Sequence, residues 1–325
     1  MINQHLFIAF SNLAFGIILV LLCLKIKRIG GLLALRQAKR QLQTNSMRGL
    51  WQSIKRMWQK DDLVPYGISR FSFRLFPLIQ LCFWVCMVMI LGRDGSGKLN
   101  GNLISLIAVL LTSSVVHYYH VWMLNRKGLI LINFRSLELN LIADFYTIIS
   151  LGIMIFKYKT IDLWLIESAQ IEITHWGIIT MPFASLLFVL ATIYKFSQVP
   201  FTRQANPMHS YNTLSDCYSG MSNMIVKLIP NLYYIVSLMI ITLLWFGGGN
   251  NQGYTPIYFS PQLAPYTGHA VIMIKVMVLC LVHQLIFASL PSMTQERSRS
   301  WVVRGGIMFI TLQVIIATIL YLRGY

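Results

Sequence analysis

The sequence predicts an all-α integral membrane protein, with about eight transmembrane helices and an amphipathic interfacial helix in the first loop. Three observations lead there. Charged residues make up only 11% of the 325-residue chain, against roughly 25% in soluble domains. Hydrophobic residues make up 56% and gather in runs of about 20, the helix length that crosses a ~30 Å hydrocarbon layer. The ten-residue alternation of a membrane β-barrel is absent, and only a helix or a closed barrel satisfies its backbone inside lipid.

The spans follow in order. Leu6–Ile26 is long enough to cross, and its basic residues follow rather than precede it, so no cleavable signal peptide is expected. A basic loop, residues 27–70, comes next. Within it Leu50, Trp51, Ile54, Met57 and Trp58 recur at helical spacing with Lys and Arg between them, the pattern of a helix lying in the headgroup layer. The remaining spans are Phe73–Gly92, Leu103–Leu124, Ser136–Phe156, Gly177–Phe196, Met224–Phe246, Ala270–Leu290 and Val303–Leu322. Pro182 and Pro230 fall inside two of them. No repeat or low-complexity tract divides the chain, so residues 1–325 read as one polytopic domain.

Charge sets the orientation. The chain carries 27 Lys and Arg against 10 Asp and Glu, a net charge of +17. In an apolar chain this excess marks loops on the cytoplasmic or matrix side and anionic headgroups such as cardiolipin, and no nucleic-acid partner is expected. The first, third, fifth and seventh loops hold most of the cations, whereas residues 247–269 hold none. Both termini are therefore expected outside. The cysteines, Cys23, Cys82, Cys86, Cys217 and Cys280, form no metal-binding spacing, and no metal site is expected.

Ionisable groups at membrane depth are functional candidates because they are costly there. Asp144 lies near the middle of the fourth span, and Glu138 near its inner end. Six residues correspond to about 600° of helical rotation, so the two face differently. Lys275 lies in mid-span and needs a polar cavity or a carboxylate; Asp144 is one candidate partner. Lys195 and Lys227 lie near inner ends, where they can snorkel. His117 and His120, in HYYH, share a helix face and read as two histidines with hydrogen-bond partners. No nucleotide, protease or hydrolase motif is present.

The order of motifs resembles a known family. RMWQKDDLVP at Arg56–Pro65 and SRFSFRLFP at Ser69–Pro77 follow the basic loop. FRSLELNLIAD runs from Phe134 to Asp144. LATIYKFSQVPFTRQANP leads to DCYSGM at Asp216–Met221, and FASLPSMTQER occupies Phe287–Arg297. The chain is similar over nearly its whole length to the quinone-site membrane subunit of respiratory complex I, the NADH dehydrogenase subunit 1 or H-subunit family. That resemblance puts Asp144 on a family glutamate and Arg135 on a family arginine.

What the resemblance implies is a non-redox subunit of an NADH:quinone oxidoreductase, in a mitochondrial inner or bacterial cytoplasmic membrane. It would join the membrane arm to the peripheral arm and help form a quinone tunnel coupled to proton translocation. No covalently bound cofactor is implied, only a quinone and lipids. The implied tunnel residues are Arg36, Trp51, Phe201, Arg203, His209, Tyr211 and Tyr218. The implied proton-path residues are Glu138, Asp144, Lys195, Asp216 and Lys275. The quinone-loop-like segment, residues 197–222, departs from the family. Lys195, Thr202 and Cys217 stand where carboxylates are the rule, and Gln198 where an arginine is. Two alternatives stay open: an anchor subunit without quinone or proton chemistry, and an independent secondary transporter.

Overall fold

The computed structural model describes residues 8–24, 64, 69–93, 98–99, 101–124, 127–196, 218, 220–249, 264–289 and 295–322. Within these, the side chains at 121, 127–139, 193–196, 264–267, 284, 286–289, 295–299 and 320–322 are not described. The helix expected over 32–60 lies outside the described residues.

The described chain is helical. Its elements are α1 (8–24), α2 (Arg70–Ile90), α3 (Leu103–Met123), α4 (Lys127–Tyr158), α5 (Leu163–Ser168), a 3₁₀ turn at Ile173–His175, α6 (Gly177–Thr180), α7 (Pro182–Phe196), α8 (Gly220–Trp245), α9 (Ala264–Ser289) and α10 (Gln295–Leu322). Among the described residues there is no strand, only two isolated antiparallel bridges, Arg93 with Leu99 and Asn102 with Asp162. Among the described residues, five helical stretches are long and apolar enough to cross a membrane: Arg70–Ile90, Leu103–His120, Asn140–Tyr158, Gly220–Trp245 and Ser300–Ile319. Shorter apolar stretches, Ile8–Leu24, Pro182–Thr192 and Gly268–His283, fall where the other three expected spans lie.

Two elements differ from the expectation. The span expected over Gly177–Phe196 is split, because Pro182 opens α7 instead of lying within a helix. A proline disfavours helical geometry in the residue before it and is well suited to the first helical position. Met181 accordingly takes φ −137° and ψ 62°, and α6 ends there after four residues. The helix expected to begin at Ser136 instead starts at Lys127 and runs 32 residues, about 48 Å at 1.5 Å per residue. Pro77 and Pro230 do lie within α2 and α8.

α8 is the centre of the packing. Buried residues run along it almost without a break from Leu232 to Trp245, as in a helix surrounded by others. It packs against α2, α7 and α9, and its C-terminal end meets α5 and α6. α4 packs against α3 and α7, and α10 against α7 and α4. Small residues let helices approach. A Cβ on Gly16 would lie 3.0 Å from Val88 Cγ1, and one on Gly306 would overlap the Tyr146 ring. The Tyr146 hydroxyl donates to Val302 O at 3.2 Å and joins α4 to α10. Large apolar side chains such as Phe10, Leu21, Phe145, Phe156 and Trp301 are exposed, as on a lipid-facing surface.

The loop between α2 and α3 is tied to the start of α5. Leu103 N–H donates to Ile161 O at 2.7 Å, and Leu163 N–H to Gly101 O at 3.2 Å. Asn102 and Asp162 cap α3 and α5 through the N–H groups of Ser105 and Trp164, at 2.7 and 2.9 Å. This fixes Arg93 and Glu167, which flank the capped turns, on the same end of the bundle.

Candidate functional site

Polar groups gather at three places: a cavity around Asp144, a corner around His120 and Tyr218, and a charged node around Glu167.

Asp144 is 8% exposed and lines a cavity of about 30 Å³ where four helices meet. Ser113 and Ser114 come from α3, Asp144 and Thr147 from α4, Thr192 from α7, and Tyr233 and Ser237 from α8; Leu110, Phe188, Ala191 and Ile240 complete the wall. One turn before Asp144, buried Asn140 hydrogen-bonds Tyr118. The α4 spacing explains the placement: Asn140, Asp144 and Thr147 are separated by four and three residues, so one face carries all three. A cavity of this size has room for about two water molecules, given 10–15 Å³ for each.

The histidines of α3 have hydrogen-bond partners. Gln80 Nε2–H donates to His117 Nδ1 at 3.4 Å. His120 stacks on Phe76 with ring centroids 5.2 Å apart, and its Nε2 hydrogen-bonds the Tyr218 hydroxyl. Tyr218 in turn stacks on Phe73 at 4.1 Å and donates to Phe73 O at 3.3 Å. The Nδ1 of His120 has no hydrogen-bond partner among the described residues. Tyr218 is 4% exposed and forms a small buried cluster with Phe73, Leu124 and Val226. Tyr218→Phe leaves the buried Nε2 of His120 without its partner, at a cost of about 1–3 kcal/mol. A correspondingly lower thermal denaturation midpoint of the purified protein is the expected result; an unchanged midpoint would contradict it.

The third place was not anticipated. Arg93 and Glu167, 5% and 1% exposed, form an ion pair through Nη2 and Oε1. Glu167 Oε1 also accepts from Gly249 N–H at 2.7 Å. Lys275 Nζ donates to Phe246 O at 2.8 Å and Gly248 O at 2.7 Å, and sits 4.8 Å from the centre of the Trp176 ring. Asn12 Nδ2–H donates to Arg93 O at 3.0 Å, while Asn12 Oδ1 accepts from Arg93 N–H at 3.2 Å and from His269 Nε2–H at 3.1 Å. The backbone is shaped for this. Gly247 and Gly248 have φ +68° and +55°, and a Cβ on Gly248 would overlap the Glu167 carboxyl. Burial pushes the Glu167 carboxyl above the usual carboxylate range. Arg93, the Gly249 N–H and the Lys275 charge oppose that push.

Lys275 therefore meets Glu167 and Arg93 rather than Asp144. Of the other residues singled out, Arg36, Trp51, Phe201, Arg203, His209, Tyr211 and Asp216 lie outside the described residues. Glu138 and Lys195 lie on the backbones of α4 and α7, and their side chains are among those not described. Sequence reasoning missed Glu167, Asn12 and the glycine run. The available clue was the bare Gly247–Gly249 run at the end of an apolar span, the same end as Arg93.

A buried carboxylate among membrane helices, with the bundle order around it, is what the motif order led us to expect. Comparison with known proteins agrees. The H-subunit of the NADH-quinone oxidoreductase of Carboxydothermus hydrogenoformans is 22% identical over 210 residues, which cover 62% of this chain. The match spans 59% of that relative's length. The family model described as NADH dehydrogenase matches residues 6–319, from the start of α1 almost to the end of α10, and on that match the chain belongs to the NADH dehydrogenase family.

Proposed function

We propose that this chain is the membrane subunit of a complex I-type NADH:quinone oxidoreductase. In this role it joins the membrane arm to the peripheral arm, helps form the quinone tunnel, and contributes Asp144 to the coupling of quinone chemistry to proton translocation. The observation that carries the reading is Asp144, which by resemblance stands on a family carboxylate and which lines a hydroxyl-rich cavity between α3, α4, α7 and α8. A carboxylate is a group that can carry a proton, which the amide of Gln198 and the hydroxyl of Thr202 are not. The subunit itself carries no redox chemistry in this reading. It sits in a mitochondrial inner or bacterial cytoplasmic membrane with both termini outside. Anionic lipids contact its basic loops, and quinone approaches the inner end, where His120 and Tyr218 lie.

One second reading has support: an anchor subunit without quinone or proton chemistry. It is favoured by Lys195, Thr202 and Cys217 standing where the family pattern has carboxylates. Tagging the chain and purifying it in mild detergent tests the shared part of both readings. A large assembly with NADH:quinone reductase activity is the expected result. A monomer or simple dimer without that activity would contradict it and point to an independent transporter.

A further inference from the structure

α1 and α9 meet in register. Asn12 Oδ1 accepts from His269 Nε2–H at 3.1 Å, and the Phe15 ring packs edge-on against the His269 ring with centroids 4.7 Å apart. Cys23 stands eleven residues after Asn12, and Cys280 eleven after His269. Eleven residues make about three helical turns, so each helix turns the same face to the other at both places. The Cys23 thiol is accordingly hydrogen-bonded to the Cys280 thiol. The two helices therefore run in the same direction, side by side from Asn12 to Cys23.

Both cysteines are reduced, 2% and 0% exposed, and belong to the main apolar cluster. One buried cysteine packs as a small hydrophobe. Two that meet sulfur to sulfur can also be joined. The axes of packed helices lie about 8–10 Å apart and each Cα about 2.3 Å off its axis, so facing Cα atoms come within reach of the roughly 4.4–6.8 Å that a disulfide spans. A thiol in apolar surroundings is slow to react, so the first oxidation limits the rate. The second is fast, because the other thiol is already held in contact.

We propose that Cys23 and Cys280 are a dithiol site that an alkyl hydroperoxide closes into a disulfide between α1 and α9. Each sulfur gives up one proton and one electron. The peroxide O–O bond takes both electrons and breaks, leaving an alcohol and water, while the S–S bond forms. The product fastens α9, which carries Lys275 to the charged node, to α1, which carries Asn12 to it.

The test uses the full chain, purified in mild detergent as it is assembled, and tert-butyl hydroperoxide as the probe. Remaining thiols are alkylated after denaturation, and peptides are read by mass spectrometry without reductant. The expected result is a linked pair of peptides holding Cys23 and Cys280, lighter by two hydrogens than the separate peptides and parted by reductant. Alkylation of the two residues should fall together, and in Cys280→Ala alkylation of Cys23 should persist. The inference is overturned if treatment that fully oxidises the exposed Cys82 and Cys86 leaves Cys23 and Cys280 open to alkylation. It is equally overturned if both become sulfinic or sulfonic acids with no linked peptide. If Cys280→Ala does not accumulate, the wild-type measurement decides alone.

Discussion

Glu167→Ala is expected to destabilise the protein by about 3–5 kcal/mol, the cost of leaving one member of a buried ion pair without its counter-charge. Arg93 remains buried with no carboxylate beside it, and Gly249 N–H loses its acceptor. The loss spreads, because Arg93 also binds Asn12 of α1 through its backbone and Lys275 of α9 shares the same field. Since a typical protein is stable by only 5–15 kcal/mol, little assembled protein should accumulate. Glu167→Gln keeps the shape and one acceptor and should fall between wild type and alanine. The double variant with Arg93→Ala should be less unstable than the two single effects added, because the orphaned charge is gone. Thermal inactivation midpoints of wild type, Glu167→Ala, Glu167→Gln, Arg93→Ala and the double variant measure this. Midpoints for Glu167→Ala and wild type within a degree of each other would sink the account of the node.

Asp144→Asn carries the second large effect. The side chain keeps its size and hydrogen-bonding capacity, so the fold should persist with a midpoint close to wild type. An amide cannot exchange a proton near neutral pH. Removing a positioned proton carrier typically costs about 100-fold or more, and the coupled translocation step should fall by that order. In proteoliposomes, NADH-driven acidification is expected to vanish while the assembly stays intact. If acidification and turnover both survive, the anchor reading gains and the coupling role of Asp144 fails.

The two predictions mark where the sequence was informative and where it was not. A carboxylate in mid-span announces itself, since the cost of burial leaves few reasons for it to be there. Asp144 was legible for that reason; the cavity it lines came from the packing of four helices. Lys275 was legible in the same way, but its partner was not. Residues 93, 167, 249 and 275 are far apart in the chain and meet only because α2, α5, α8 and α9 end together. No local pattern specifies that meeting. The five stretches suited to crossing a membrane by length and composition could be read from hydropathy alone, whereas the break at Met181–Pro182 required attention to the residue before a proline. Hydrogen-bonded His117 and His120 were expected because no third metal ligand accompanies the pair, but Gln80 and Tyr218 as partners came from tertiary packing.

A density map of the native assembly tests the central claim most directly. The expected map places this chain inside a complex I-type particle, with the peripheral arm seated over the end that carries His120 and Tyr218 and the Asp144 cavity in the membrane beyond it. A map in which the chain stands alone in the bilayer, or in which lipid or solvent covers that end and no second arm is attached, would contradict it.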